Sequence, residues 1–138
     1  MKIQHVRVAR STNRLNEVTA FYRDVLGLEV LARFDDHDGF DGVMLGQSGD
    51  SVHFEFTRER GAIDEQEPSP EDLLVLYFDE AEWAEAERRI ATAGVTVVVS
   101  HNPYWDRHGI TIVDPDGSRV VLHRGPWRSS RSSTETPV

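Results

Sequence analysis

The chain has 138 residues, 38% of them hydrophobic, no cysteine and a formal net charge of −9. That length suits one domain with a modest core, and the missing cysteines exclude disulfides, thiolate metal ligands and cysteine nucleophiles. The acidic balance argues against a nucleic-acid partner; no apolar run reaches spanning length and no signal peptide opens the chain, so the expectation is a cytoplasmic protein with no membrane partner.

Residues 3–8 alternate with the period of a strand, setting Val6 and Val8 on one face and His5 and Arg7 on the other. Thr12 or Asn13 is the expected cap of a helix whose inner stripe is Leu15, Val18, Tyr22 and Val25, with Gly27 as its stop. Strands over 28–34, 43–45 and 51–57 follow, with residues 35–42 as a polar loop. In the last of these strands His53, Glu55 and Thr57 share a face opposite Phe54 and Phe56. Residues 58–70 are acidic, hold two prolines and lack apolar periodicity, which marks a linker.

The same order then recurs. A strand over 73–78 leads to a helix capped by Asp79 with Glu82, bearing Trp83, Ala86, Ile90 and Ala93 inward and stopped by Gly94. The β-branched run 95–100 suggests a strand buried on both faces. The loop 101–108 carries Tyr104 and Trp105, and Asp114-Pro115-Asp116-Gly117 turns a hairpin between strands 110–113 and 118–123. Gly27 to Gly42 and Gly94 to Gly109 are both 15 residues apart. The fold expected is α+β: two tandem β-α-β-β-β modules, 1–57 and 71–124, forming curled mixed sheets with helices on the convex face. Residues 125–138, rich in Ser, Thr, Arg and Pro, are expected to be a mobile tail.

Paired modules of this order, with HVRV (5–8), AFYRDVLGLEV (20–30), HFEFT (53–57) and VDPDGSRVVL (113–122), resemble the vicinal oxygen chelate superfamily of glyoxalase I, extradiol dioxygenases and bleomycin-resistance proteins. GFDGVML (39–45) with NPYW (102–105) resembles a bacterial subgroup of short glyoxalase-like proteins. The resemblance implies a homodimer and, in metal-dependent members, four ligands on the first, fourth, fifth and eighth strands. Those positions fall on His5, Glu55, Leu73 and Val121, and neither Leu73 nor Val121 can bind a metal.

Three readings follow. The first is a protein binding a small organic molecule in a concave pocket without a metal, through Arg7, His53, Glu55, Tyr77, Tyr104 and Trp105. The second is a lyase or extradiol-type dioxygenase using Fe, Mn, Ni, Co or Zn on a relocated set of His5, Glu55 and His123, two histidines and a carboxylate being a set that suits non-haem iron. His123 is otherwise a strand-end residue facing solvent. The third is a metal-free enzyme with Glu55 as catalytic general base near Arg7 and Tyr77. Glu55 is central to all three, because a carboxylate within a sheet concavity needs a partner, an ion or water; Arg7 is its structural partner candidate. Asp36, His37, Asp38 and Asp41 lack the spacing of a calcium loop and read as a solvated acidic loop.

Overall fold

Parallel pairing between strands far apart in sequence sets one edge of each sheet. The computed structural model describes residues 1–129, and the chain divides into two compact units, Met1–Glu67 and Pro68 onward. The expected tail falls mostly on 130–138, outside the described residues.

In the first unit β1 (Val6–Ser11), β2 (Glu29–His37), β3 (Phe40–Gly46) and β4 (Val52–Glu59) form a sheet of order β1-β4-β3-β2. β1 begins at Val6, not at residue 3, because the parallel ladder with β4 opens there, at Val6↔Val52, with the Val6 N–H donating to the Ser51 carbonyl at 2.8 Å. β2 and β3 run well into the expected loop. Asp36, Asp38 and Gly39 all take positive φ, so a tight Asp-Gly turn lets His37 pair with Phe40. Between β1 and β2, α1 (Leu15–Ala20) continues into one wider π-helical turn, Phe21–Val25. Neither Thr12 nor Asn13 caps it. Asn13 is engaged by Asp64, exchanging bonds of 2.7 and 2.8 Å with its backbone, and Arg14 occupies the cap position with no side-chain cap bond. Val18, Tyr22 and Val25 bury their stripe against Val43, Leu45, Phe54 and Phe56. Each such side chain contributes about 1.5–3 kcal/mol by burial.

In the second unit β5 (Leu73–Phe78), β6 (Val97–Val98), β7 (Gly109–Val113) and β8 (Arg119–Arg124) form a sheet of order β5-β8-β7-β6. α2 (Glu80–Ala93) starts as the sequence indicates, with the Asp79 carboxylate accepting the Glu82 N–H at 2.8 Å, and ends at Gly94 with φ of 64°. Ala86 and Ile90 are buried and Trp83 donates its indole N–H to the Leu122 carbonyl, but Ala93 is exposed. The run 95–100 is a second departure. Only two residues pair, on the sheet's edge, and Val97 and Val99 are 53% and 83% exposed rather than buried on both faces. Residues 101–108 contain a short helix, α3 (Tyr104–His108), started by the Asn102 side chain accepting the Tyr104 N–H. The Asp114 carboxylate accepts the N–H groups of Asp116 and Ser118, which closes the β7–β8 hairpin.

The two ladders repeat the same register. Gly42 opposes Thr57 as Gly109 opposes His123, and Met44 opposes Glu55 as Thr111 opposes Val121. Across the parallel pairs, Arg7 opposes His53 as Leu73 opposes Arg119, and Ala9 opposes Glu55 as Val75 opposes Val121. Glu55 and Val121 are therefore counterparts, and so are Arg7 and Leu73. Both sheets are mixed and open, and each module packs its own helix, α1 or α2, against its own sheet, so the architecture is α+β in two tandem modules.

Candidate functional site

The face of the first sheet opposite α1 carries a chain of polar side chains. Arg7 on β1 and His53 on β4 are cross-strand neighbours, and the Arg7 Nε donates to His53 Nε2 at 2.8 Å. Arg7 also sets a terminal nitrogen 3.5 Å from the Glu55 carboxylate, and touches the Met44 sulfur at 3.9 Å. His53 Nδ1 lies 2.6 Å from His5 Nε2.

Donor counting fixes the protons. An Arg Nε can only donate, so His53 Nε2 must hold a lone pair and neutral His53 carries its hydrogen on Nδ1. That hydrogen is then given to His5 Nε2. Burial first, then the charges of Arg7 and His5, hold the His53 pKa below its ordinary 6.5, against the pull of Glu55. His53 is accordingly neutral at pH 7, as this bonding requires. Glu55 has a side chain 14% exposed, whereas Arg7 is 48% exposed and presents its outer edge to solvent.

The second unit builds a ring cluster instead. Tyr77 lies 4.6 Å from His123 between centroids, Trp105 6.2 Å from His123, and Tyr104 5.0 Å from Trp105. α3 thus packs Tyr104 and Trp105 onto the β-sheet face that bears His123. His123 is 7% exposed, so it does not face solvent, and its Nδ1 lies 3.4 Å from the Gly125 carbonyl. His108, which the sequence reading left within a loop, stacks on His123 at 5.5 Å and 26°. Its one sequence signal is its place immediately before Gly109, whose missing side chain allows the close approach to Leu122 and His123. Burial, with a smaller contribution from Tyr104, raises the Tyr77 pKa above 10.

The residues named from sequence therefore fall in two sets: Arg7, His53, Glu55 and His5 in the first unit, and Tyr77, Tyr104, Trp105 and His123 in the second. A divalent metal fits the four expected ligand positions poorly. Val121 is fully buried and Leu73 half-buried, both apolar. The repeat register makes Arg7 the counterpart of Leu73, with His5 two residues earlier and ahead of β1. His5 Nε2 already accepts a hydrogen bond, and among the described residues no group of three His, Cys, Asp or Glu side chains is arranged to hold a metal.

Residues 6–57 match the model of a YycE-like N-terminal domain, and residues 71–124 that of a YycE-like C-terminal domain. The uncharacterised protein YycE of Bacillus subtilis (strain 168) is 41% identical over 118 residues, 85% of this chain and 85% of that one. The chain belongs to the YycE-like family. The crystal structure of a YycE protein of unknown function from Bacillus subtilis superposes with a TM-score of 0.84 at 38% identity, over 94% of this chain and 95% of that one. At 18% identity or below the likeness shows the fold alone. The trypanothione-dependent glyoxalase I of Leishmania major matches with a TM-score of 0.65 at 18% identity, over 90% of this chain and 86% of that one. The fosfomycin resistance protein FosX of Listeria monocytogenes, complexed with Mn(II) and sulfate ion, matches with 0.67 at 17%, over 91% and 95%. The fold of this YycE-like chain is thus the one it shares with glyoxalase I and FosX.

Proposed function

We propose that the protein binds a small polar organic molecule on the open face of its first sheet, through Arg7, His53 and Glu55, without a resident divalent metal. The observation that carries this reading is Arg7 itself. By the repeat register it stands where a first-strand metal ligand would, and its guanidinium neutralises Glu55 at 3.5 Å, the task a cation would otherwise perform. A fixed cation cannot bring open coordination positions or Lewis acidity. It does offer planar donors to a carboxylate, phosphonate or carbonyl group, while Glu55 and the neutral His53 hold it in place.

The test is a thermal-shift screen of chelator-treated protein against small carboxylates, phosphonates and oxygen-rich aromatics. Ligand at a thousand times its dissociation constant stabilises by about 4 kcal/mol. The expected hit keeps its shift in chelator and loses it in Arg7→Ala. A hit that needs an added metal, or that Arg7→Ala leaves intact, would contradict the proposal.

A further inference from the structure

The first sheet also has a charged cavity on its other face. It measures about 220 Å³ and is lined by Asn16, Glu17, Arg33, Asp35, Asp41 and Arg58, among others. Arg33 pairs with Val43, and Val43 with Phe56, which packs on Tyr22 of the helix at 4.7 Å. Arg58 follows Phe56 by two residues and so takes the same face. The cavity therefore opens on the helix side, with the sheet between it and His53 and Glu55.

Two of the arginines on its wall, Arg33 and Arg58, lack among the described residues the carboxylate partner that several others have. Arg7, Arg23, Arg60, Arg88 and Arg124 each have a carboxylate oxygen within 4.0 Å. Among the described residues Arg33 and Arg58 have none, in a chain with 24 acidic side chains against 15 basic ones. Asp41 on the cavity wall acts on Arg58 only at a distance. Its carboxylate is taken up by Arg60 at 2.8 Å and by the Asp36 N–H at 2.8 Å, which lower its pKa from the ordinary carboxylate value. Arg33 and Arg58 thus line one shared space, each with no carboxylate oxygen of the described residues within 4.0 Å.

We propose that this cavity is a binding site for a small oxyanion, a phosphate or carboxylate held by Arg33 and Arg58, on a molecule whose amine or hydroxyl groups meet Glu17 and Asp35. Guanidinium pairs are well matched to such oxygens. The two acidic side chains on the same wall disfavour a bare dianion and favour an amphoteric ligand. The volume admits a metabolite fragment rather than a polymer.

The probes are inorganic phosphate and O-phosphoethanolamine, titrated into the full chain at low ionic strength and followed by calorimetry and amide chemical shifts. Both are expected to bind saturably, the second more tightly. Arg33→Ala and Arg58→Ala should each weaken binding about tenfold to a hundredfold, with Arg58→Lys retaining part of it, and unaltered melting curves show that the exposed-site variants are folded. Arg7→Ala should bind as the parent does, which separates this site from the one on the opposite face. Absence of binding, binding indifferent to Arg33 and Arg58, or binding lost in Arg7→Ala would overturn the site. Equal affinity for the two probes would overturn its amphoteric character.

Discussion

At the middle of its last strand the first module places Glu55, a partly exposed carboxylate paired with Arg7; at the same point the second module places Val121, fully buried between Val75 and Thr111. The neighbouring position on the first strand of each module holds Arg7 in one case and Leu73 in the other. The backbone ladder is the same, so the difference lives wholly in side chains. One module sets charged and polar side chains at these positions, and the other sets apolar side chains there with an aromatic cluster beside them. Side chains on one face can differ in this way because the ladder hydrogen bonds are made by backbone groups.

Ways to break that comparison begin with the two glycines at matching ladder positions, Gly42 opposite Thr57 and Gly109 opposite His123. A Cβ on Gly109 would stand 2.1 Å from the Leu122 carbonyl oxygen, which is backbone and cannot turn aside. On Gly42 it would meet the Phe34 ring, which can. Gly109→Ala is expected to cost about 3 kcal/mol, a fall in melting temperature of roughly 10 °C, and Gly42→Ala about 1 kcal/mol or less. Equal losses in denaturant melts would contradict this account of the two ladders.

The helices differ next. Asp79 caps α2 and no side chain caps α1, so Asp79→Ala should lose about 1 kcal/mol, whereas Asn13→Ala should act through the lost bonds to Asp64 and leave the helix content of α1 unchanged by circular dichroism. Smaller still is the stability held in the polar chain. Arg7 is half-exposed and lies 3.5 Å from Glu55, so solvent screens the pair to about 1 kcal/mol, and Glu55→Gln should alter ligand affinity while barely moving the melting curve.

Proton linkage sharpens the same point. His53 has a folded pKa below 6.5, so the unfolded chain takes up the extra proton. Stability is whole above about pH 6.5 and declines as the pH falls through and below that value. His53→Asn should flatten this part of the pH-stability curve, measured between pH 7.5 and 5.5. An unchanged slope would remove His53 as its source.

Much of this was legible in the sequence, for definite reasons. The repeated 15-residue spacing from Gly27 to Gly42 and Gly94 to Gly109 reported the tandem modules, and Asp79 with Glu82 reported a helix start at which the Asp79 carboxylate accepts the Glu82 N–H. Alternation on β4 placed His53 and Glu55 on one face. The residues missed share a different cause, since each depends on a partner distant in the chain. The start of β1 depends on Val52, and the apparent burial of 95–100 fails because that segment is an edge strand. His123 reads as a strand end, yet its burial comes from α3, a helical turn that residues 101–108 do not announce by periodicity. The correspondence of Arg7 with Leu73 emerges only when the two ladders are laid in register, because sequence carry-over settles on His5 two residues away.

The central claim, that Arg7 stands in for a metal, is tested most directly by melting chelator-stripped protein in the presence of Mn(II), Fe(II), Co(II), Ni(II) or Zn(II), each with and without Glu55→Ala. The account predicts no saturable stabilisation by any of the five that depends on Glu55. A stoichiometric shift with one metal, abolished by Glu55→Ala and by His5→Ala, would contradict it and favour the metal-dependent reading of His5 and Glu55.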